Sequence, residues 1–171
     1  GALTPLRIDL ENAEAEDVHL GATTVTDLTW KQTLDLYACT ECGRCQSACP
    51  AWNTGKPLSP KLLVMNLRDH LFEQGPQILE GRAAGAEPEP VPLVPDVIDE
   101  EVLWACTTCG ACMQECPVDI EDVNRIVDMR RNLVMGESRF PAEAGAMLRN
   151  LETAGNPWGM PQAQRGDWPQ G

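Results

Sequence analysis

Apolar residues recur at helical spacing in several separate stretches, and no convincing strand alternation runs through the chain. Trp30, Leu34 and Tyr37 fall on one face of a predicted helix that begins near Asp27 or Thr29 and feeds directly into Cys39. The clearest helix opens at Ser59-Pro60. Ser59 is an N-cap candidate, and Pro60 stands at the first helical position. Leu62, Leu63, Met65, Leu67 and Leu71 follow, and Gly75-Pro76 is expected to stop it. A short helix from about Asp99 to Trp104 leads into Cys106. Asp119 and Asp122 signal the start of another, carried by Ile120, Val123, Ile126, Val127, Arg130 and Leu133 to about Met135 and ended by Gly136. Phe140-Pro141 opens a last helix through Ala144, Met147, Leu148 and Leu151, closed by Gly155. Met65, Met129, Met135 and Met147 share helical spacing with aliphatics and are expected to fill the core.

The fold class that follows is mostly α, with the cysteine-bearing loops joined by helices. Three segments divide the chain. Residues 1–28 form an acidic arm, with Glu11, Glu14, Glu16 and Asp17 close together. Its short alternations at Leu6, Ile8, Leu10 and at Val18, Leu20 suit a small hairpin or a segment wrapped on the domain. Residues 29–155 form the main domain, with a Pro/Gly connector at 81–95 inside it. Residues 156–171 form an irregular tail.

Composition narrows the function. Aromatics are 5% of the 171 residues and hydrophobics 43%, so the core is expected to be aliphatic. A net charge of −13 makes nucleic acid and anionic membrane surfaces poor partners. No apolar run approaches the roughly 18 residues a transmembrane helix needs, and no signal peptide is visible. Gly1 in place of Met reads as a trimmed tag or the start of an excised segment. No Ser/His/Asp set, GxGxxG fingerprint or P-loop is present, so no complete substrate-converting site is visible. His19 and His70 have no partners at ligand spacing. His70 reads as a charge near a helix C-terminus.

The eight cysteines decide the rest. They fall into two tight clusters, Cys39, Cys42, Cys45, Cys49 and Cys106, Cys109, Cys112, Cys116, each spelling C-x2-C-x2-C-x3-C-P. A disulfide framework would scatter its cysteines, and zinc ribbons space their pairs about 15–20 residues apart. The run is instead that of two [4Fe–4S] clusters, in which the fourth cysteine ligates the other cluster. Cluster A is thus assigned to Cys39, Cys42, Cys45 and Cys116, and cluster B to Cys106, Cys109, Cys112 and Cys49. Two adjacent clusters make a wire, which favours electron transfer over a structural or sensing role. Reduced thiols place the protein in the cytosol.

The motifs are halves of an internal repeat with a shift of 67 residues. Leu36-Tyr37-Ala38-Cys39-Thr40 matches Leu103-Trp104-Ala105-Cys106-Thr107, Gly43 matches Gly110, and Pro50 matches Pro117. Gly43 and Gly110 are expected at positive φ, letting backbone N–H groups approach the cluster. Pro50 and Pro117 lack a donor and turn the fourth thiolate away from its own loop. Thr40, Thr107 and Thr108 offer hydroxyl hydrogen bonds to sulfur. Arg44 lies inside the first cysteine loop and is the best candidate for tuning or partner docking. Arg125, Arg130 and Arg131 read as a solvated helix face. Trp30 and Trp104 precede the cysteine loops and are expected to pack over the clusters, while Trp158 and Trp168 in the tail are candidate partner contacts.

The segments LDLYACTECGRCQSACPAWNTGKPLSPKLLVMNLRDHL and LWACTTCGACMQECPVDIEDVNRIVDMRRNLV carry a family resemblance. The stretch from Trp30 to about Gly166 resembles the central domain of heterodisulfide-reductase-like Fe–S oxidoreductases. These include the iron–sulfur subunits of anaerobic glycerol-3-phosphate dehydrogenase and the membrane oxidoreductases paired with electron-transfer flavoprotein. The resemblance implies the α-helical ferredoxin fold, also seen in the succinate dehydrogenase iron–sulfur subunit. It implies electrons arriving from a flavoprotein and leaving toward a membrane quinone or a further Fe–S site, at the cytoplasmic face of a membrane. The rival within the same chemistry is the iron–sulfur subunit of a dehydrogenase for glycerol 3-phosphate, lactate or succinate. Relatives often carry an N-terminal membrane segment and C-terminal Cys-Cys-Gly repeats, which are missing here. An excised middle domain is the expected explanation, and a complete soluble subunit is the alternative.

Overall fold

In a computed structural model, residues 20–86, 89 and 91–167 are described. The expectations for the acidic residues of the arm, His19 and Trp168 lie outside them. Among the described residues every regular element is helical. The order is α1 (Trp30–Ala38), α2 (Arg44–Ser47), α3 (Pro50–Asn53), α4 (Pro60–Ala84), α5 (Glu100–Trp104), α6 (Ala111–Gln114), α7 (Asp122–Arg131) and α8 (Ala142–Ala154). The chain falls into two compact units divided after Gly136.

The first unit holds both cysteine loops. Its helices start where local chemistry allows. Thr29 caps α1, accepting from the Gln32 N–H while the Gln32 side chain accepts from the Thr29 N–H at 2.8 Å. Ser59 caps α4 with Pro60 at the first turn. The core is aliphatic: Leu36, Leu58, Leu63, Leu67, Leu93, Leu103, Ile126, Met129 and Leu133 are all at most 1% exposed. Each such side chain contributes about 1.5–3 kcal/mol by leaving water.

Several expectations are corrected. Gly75-Pro76 does not stop α4, which runs through Pro76 to Ala84 and ends at Gly85 with φ +71°. Pro76 is exposed, so water can serve the carbonyl its missing N–H leaves open. His70 therefore sits in mid-helix, not at a C-terminus. Burial lowers its pKa, and its Nε2 is buried without a hydrogen-bond partner. The 81–95 connector begins as helix and ends in the core, where Leu93 is fully buried and its N–H donates to the Thr23 carbonyl at 2.7 Å. Met129 is core, but Met135 and Met147 are exposed.

The face of α1 is also reversed. Trp30, Leu34 and Tyr37 are 78%, 53% and 55% exposed, while Gln32, Asp35 and Leu36 are buried. A buried partner on α7 draws the polar face inward. Arg125, read as solvated, is 0% exposed and pairs with Asp122 at 2.5 Å and Asp35 at 3.5 Å. Tyr37 instead packs edge-on against Phe72 of α4, ring centres 5.4 Å apart.

The last residues of the arm belong to the core. Ala22, Val25 and Leu28 are buried, and the Ala22 N–H donates to the Asp128 carbonyl at 3.1 Å. Only glycine fits at 21, because a Cβ there would lie 2.3 Å from the Asp128 carbonyl oxygen. After α7 the chain makes one wide π turn, Asn132–Gly136.

The second unit is α8 and a short 3-10 turn, Gln162–Gly166. Pro141 precedes α8 and Gly155 closes it at φ +69°, as the sequence indicates. The Asn156 side chain ties the following loop by donating to the Met160 carbonyl at 2.7 Å. Trp158 is 78% exposed.

Candidate metal centres

The sequence repeat is also a backbone repeat. α2 and α6 are four-residue helices at equivalent positions, each preceded by a left-handed glycine, Gly43 at φ +80° and Gly110 at +77°. Glu41 and Thr108, also equivalent, are left-handed too, at +58° and +54°. Two left-handed residues around the second cysteine coil the loop so that successive sulfurs turn inward. That Glu41 and Thr108 adopt this conformation has no signal in their residue types. Pro50 opens α3 directly after Cys49, and Pro117 follows Cys116 in a turn, so each proline redirects the chain at the fourth cysteine.

The two cysteine groups mix. One cavity is lined by Cys39, Cys42 and Cys45 of the first motif together with Cys116 of the second. The other is lined by Cys106, Cys109 and Cys112 of the second motif together with Cys49 of the first. All eight are free thiols. Among the described residues no three such side chains converge tightly enough for a single metal ion. A four-iron cube takes one thiolate at each of four separate corners, so two sets of four spaced thiols around a cavity fit its donor requirement. Trp30 and Trp104 line neither cavity.

Backbone amides converge on the sulfurs. The Thr108 N–H donates to Cys106 Sγ and the Ile120 N–H to Cys116 Sγ, both at 3.4 Å. The Arg44 N–H serves Cys42 and, with help from the Thr40 side chain and the Arg44 charge, draws its thiol pKa down. Arg44 thus acts first through its backbone, its side chain lying exposed. The Thr108 hydroxyl goes to the Thr107 carbonyl at 2.7 Å, not to sulfur. Burial pushes the Cys45 thiol up to about 11 and the Cys112 thiol to about 12, with the Asp122 charge adding to both. Burial also raises Cys106. Buried thiolates are therefore costly until iron compensates them.

Three residues at these sites carry no recognisable mark in the sequence. Asp122, read only as a helix start, is 2% exposed and lines the first cavity, as does Lys61. Burial raises the Asp122 carboxyl, and Arg125 at 2.5 Å pulls it back. Arg130, read as solvated, is half-buried. It donates to the Cys106 carbonyl at 2.7 Å and the Leu103 carbonyl at 3.1 Å, with its guanidinium 5.1 Å above the Trp104 ring. Register alone hinted at Arg130, which falls on the α7 face of Ile126 and Leu133.

Helical architecture, paired cysteine cavities and amide-lined sulfurs define a two-cluster ferredoxin. Residues 38–120 match the family model of the 4Fe-4S dicluster domain, and the cofactors are two [4Fe–4S] clusters. The chain is 41% identical to the EtfAB:quinone oxidoreductase of Syntrophomonas wolfei, over 94% of this chain and 24% of that protein. It is 38% identical to a probable membrane-anchored ferredoxin of Chromohalobacter salexigens, over 94% of this chain and 25% of that protein. One polypeptide of a CoB-CoM heterodisulfide reductase from Methanosarcina acetivorans is 30% identical, over 64% of this chain and 56% of that polypeptide. The chain is a homologue of these iron–sulfur oxidoreductases, with an α-helical ferredoxin fold, and its function is electron relay. It spans about a quarter of the length of the first two. Among the described residues no helix is long and apolar enough to cross a membrane.

Proposed function

We propose that this chain is the central relay of a larger oxidoreductase, taking electrons from a flavoprotein and passing them toward a membrane quinone at the cytoplasmic face. Cys39, Cys42, Cys45 and Cys116 hold one cluster. Cys106, Cys109, Cys112 and Cys49 hold the other. When bound, each cluster supplies one-electron redox chemistry. The chain's own part is to supply eight thiolates, to screen them with aliphatic packing, and to aim amide N–H groups at the sulfurs. Gly43 and Gly110 allow that approach, and Pro50 and Pro117 turn the fourth thiolate toward the opposite cavity.

The observation that carries the ligand sets is the exchange of Cys49 and Cys116 between the two cavities. The donor and acceptor are supported by the quinone oxidoreductase named for an electron-transfer flavoprotein, at 41% identity. Iron and acid-labile sulfide on anaerobically purified protein should reach about eight of each per chain. Cys49→Ser should perturb the cluster of Cys106, Cys109 and Cys112. Disturbance confined to the cluster of Cys39, Cys42 and Cys45 refutes the exchanged ligation. Anaerobic mixing with a reduced electron-transfer flavoprotein should bleach the cluster absorbance, and no reduction refutes the donor.

A further inference from the structure

Helix α7 runs past both cavities and carries opposite charge to each. Near its start, Asp122 lines the first cavity, while Val123 and Ile126 line the second. Three charged residues line the first cavity: Glu41, Lys61 and Asp122. Glu41 is exposed and paired with Arg68 at 2.7 Å, so solvent screens it. Lys61 is partly exposed and screened likewise, whereas Asp122 is buried. Among the described residues no charged side chain lines the second cavity. About two turns further along α7, Arg130 sets its guanidinium against the Cys106 and Leu103 carbonyls of the second loop.

Arg125 only partly cancels Asp122, because it is shared with Asp35. Lys31, 37% exposed, balances Asp35 at 2.5 Å, which leaves Asp122 as the buried carboxylate facing a cavity. The guanidinium at 2.5 Å favours the ionised form of Asp122 against burial, which raises the carboxyl. Negative charge beside a cluster opposes the arrival of an electron, and positive charge favours it.

We propose that Asp122 and Arg130 make the two sites electrostatically unequal, giving the site of Cys49, Cys106, Cys109 and Cys112 the higher reduction potential. This rests on the cofactors and ligand sets proposed above. Both residues are positioning residues, acting on the clusters through space. Asp122 faces the first cavity and its neighbour Val123 lines the second, so Asp122 acts on both sites, while Arg130, held against the second loop, acts on the second.

The test is an anaerobic redox titration of the chain loaded with iron and sulfide, followed by electron paramagnetic resonance. Cys109→Ser identifies the second site, since Cys109 is exposed and lines the second cavity but not the first. Two potentials are expected, the higher belonging to the signal that Cys109→Ser alters. Asp122→Asn should raise both, the lower one more. Arg130→Gln should lower the higher one and leave the other in place. Each substitution thus narrows the gap, and the wild-type order tests the proposal even where a variant fails to fold. Equal potentials, the reverse order, or a gap that neither folded variant narrows overturns the proposal while the relay reading stands. A chain that takes up no clusters overturns both.

Discussion

Replacing Arg125 by Met is the sharpest test of how this fold is held together. The methionine keeps the apolar stem of the side chain and removes the charge. It leaves Asp122 and Asp35, both 2% exposed, without the guanidinium they share. Asp35 retains Lys31 at 2.5 Å and the Glu121 N–H at 3.0 Å. Asp122 loses its 2.5 Å partner and carries most of the cost. Breaking a buried ion pair by removing one member costs about 3–5 kcal/mol. An upper bound comes from the carboxyl itself. Protonating an ordinary carboxyl at pH 7, about three units above its pKa, costs about 4 kcal/mol, and a stranded Asp122 can always take that route. The expected loss is thus about 3–4 kcal/mol. Urea unfolding of the anaerobic, cluster-loaded protein measures it, with the unfolding rate as a second reading because cluster loss makes the transition irreversible. Adding Asp122→Asn to Arg125→Met removes the stranded charge and should recover a large part of the loss. A single-variant cost under about 1 kcal/mol, or no recovery in the double variant, would show that Arg125 does not compensate buried carboxylates.

Two further outcomes are expected. Gly21→Ala forces a Cβ to within 2.3 Å of the Asp128 carbonyl oxygen and should cost about 1–3 kcal/mol, read as a lower denaturation midpoint; an unchanged midpoint means the arm does not pack there. In the cluster-free chain, Cys45 and Cys112 rise from 9.0 to about 11 and about 12 on folding. The folded state then holds protons that the unfolded state has released, so stability should be intact below about pH 9 and fall as pH rises toward 11–12. A stability curve flat across that window contradicts the burial of these thiols.

Local chemistry made much of this protein legible. The spacing of eight cysteines gave the cofactor class and the repeat, because a cluster loop needs its ligands within a few residues of one another. Gly43 and Gly110 showed in advance where the backbone turns left-handed. Thr29, Ser59 and Gly155 marked helix ends, since caps act within three or four residues. What the sequence obscured depends on partners distant in the chain. Pro76 looked like a stop, but an exposed helix face tolerates its missing donor. Trp30 and Tyr37 looked like the buried face of α1, yet Asp35 turned inward because Arg125, 90 residues away, waits on α7. Arg130 looked solvated until the fold brought it against the Cys106 carbonyl. Periodicity registers whether a side chain is charged and not whether a counter-charge will meet it, so ligand chemistry was written locally, while the charges around the ligands were decided by tertiary packing.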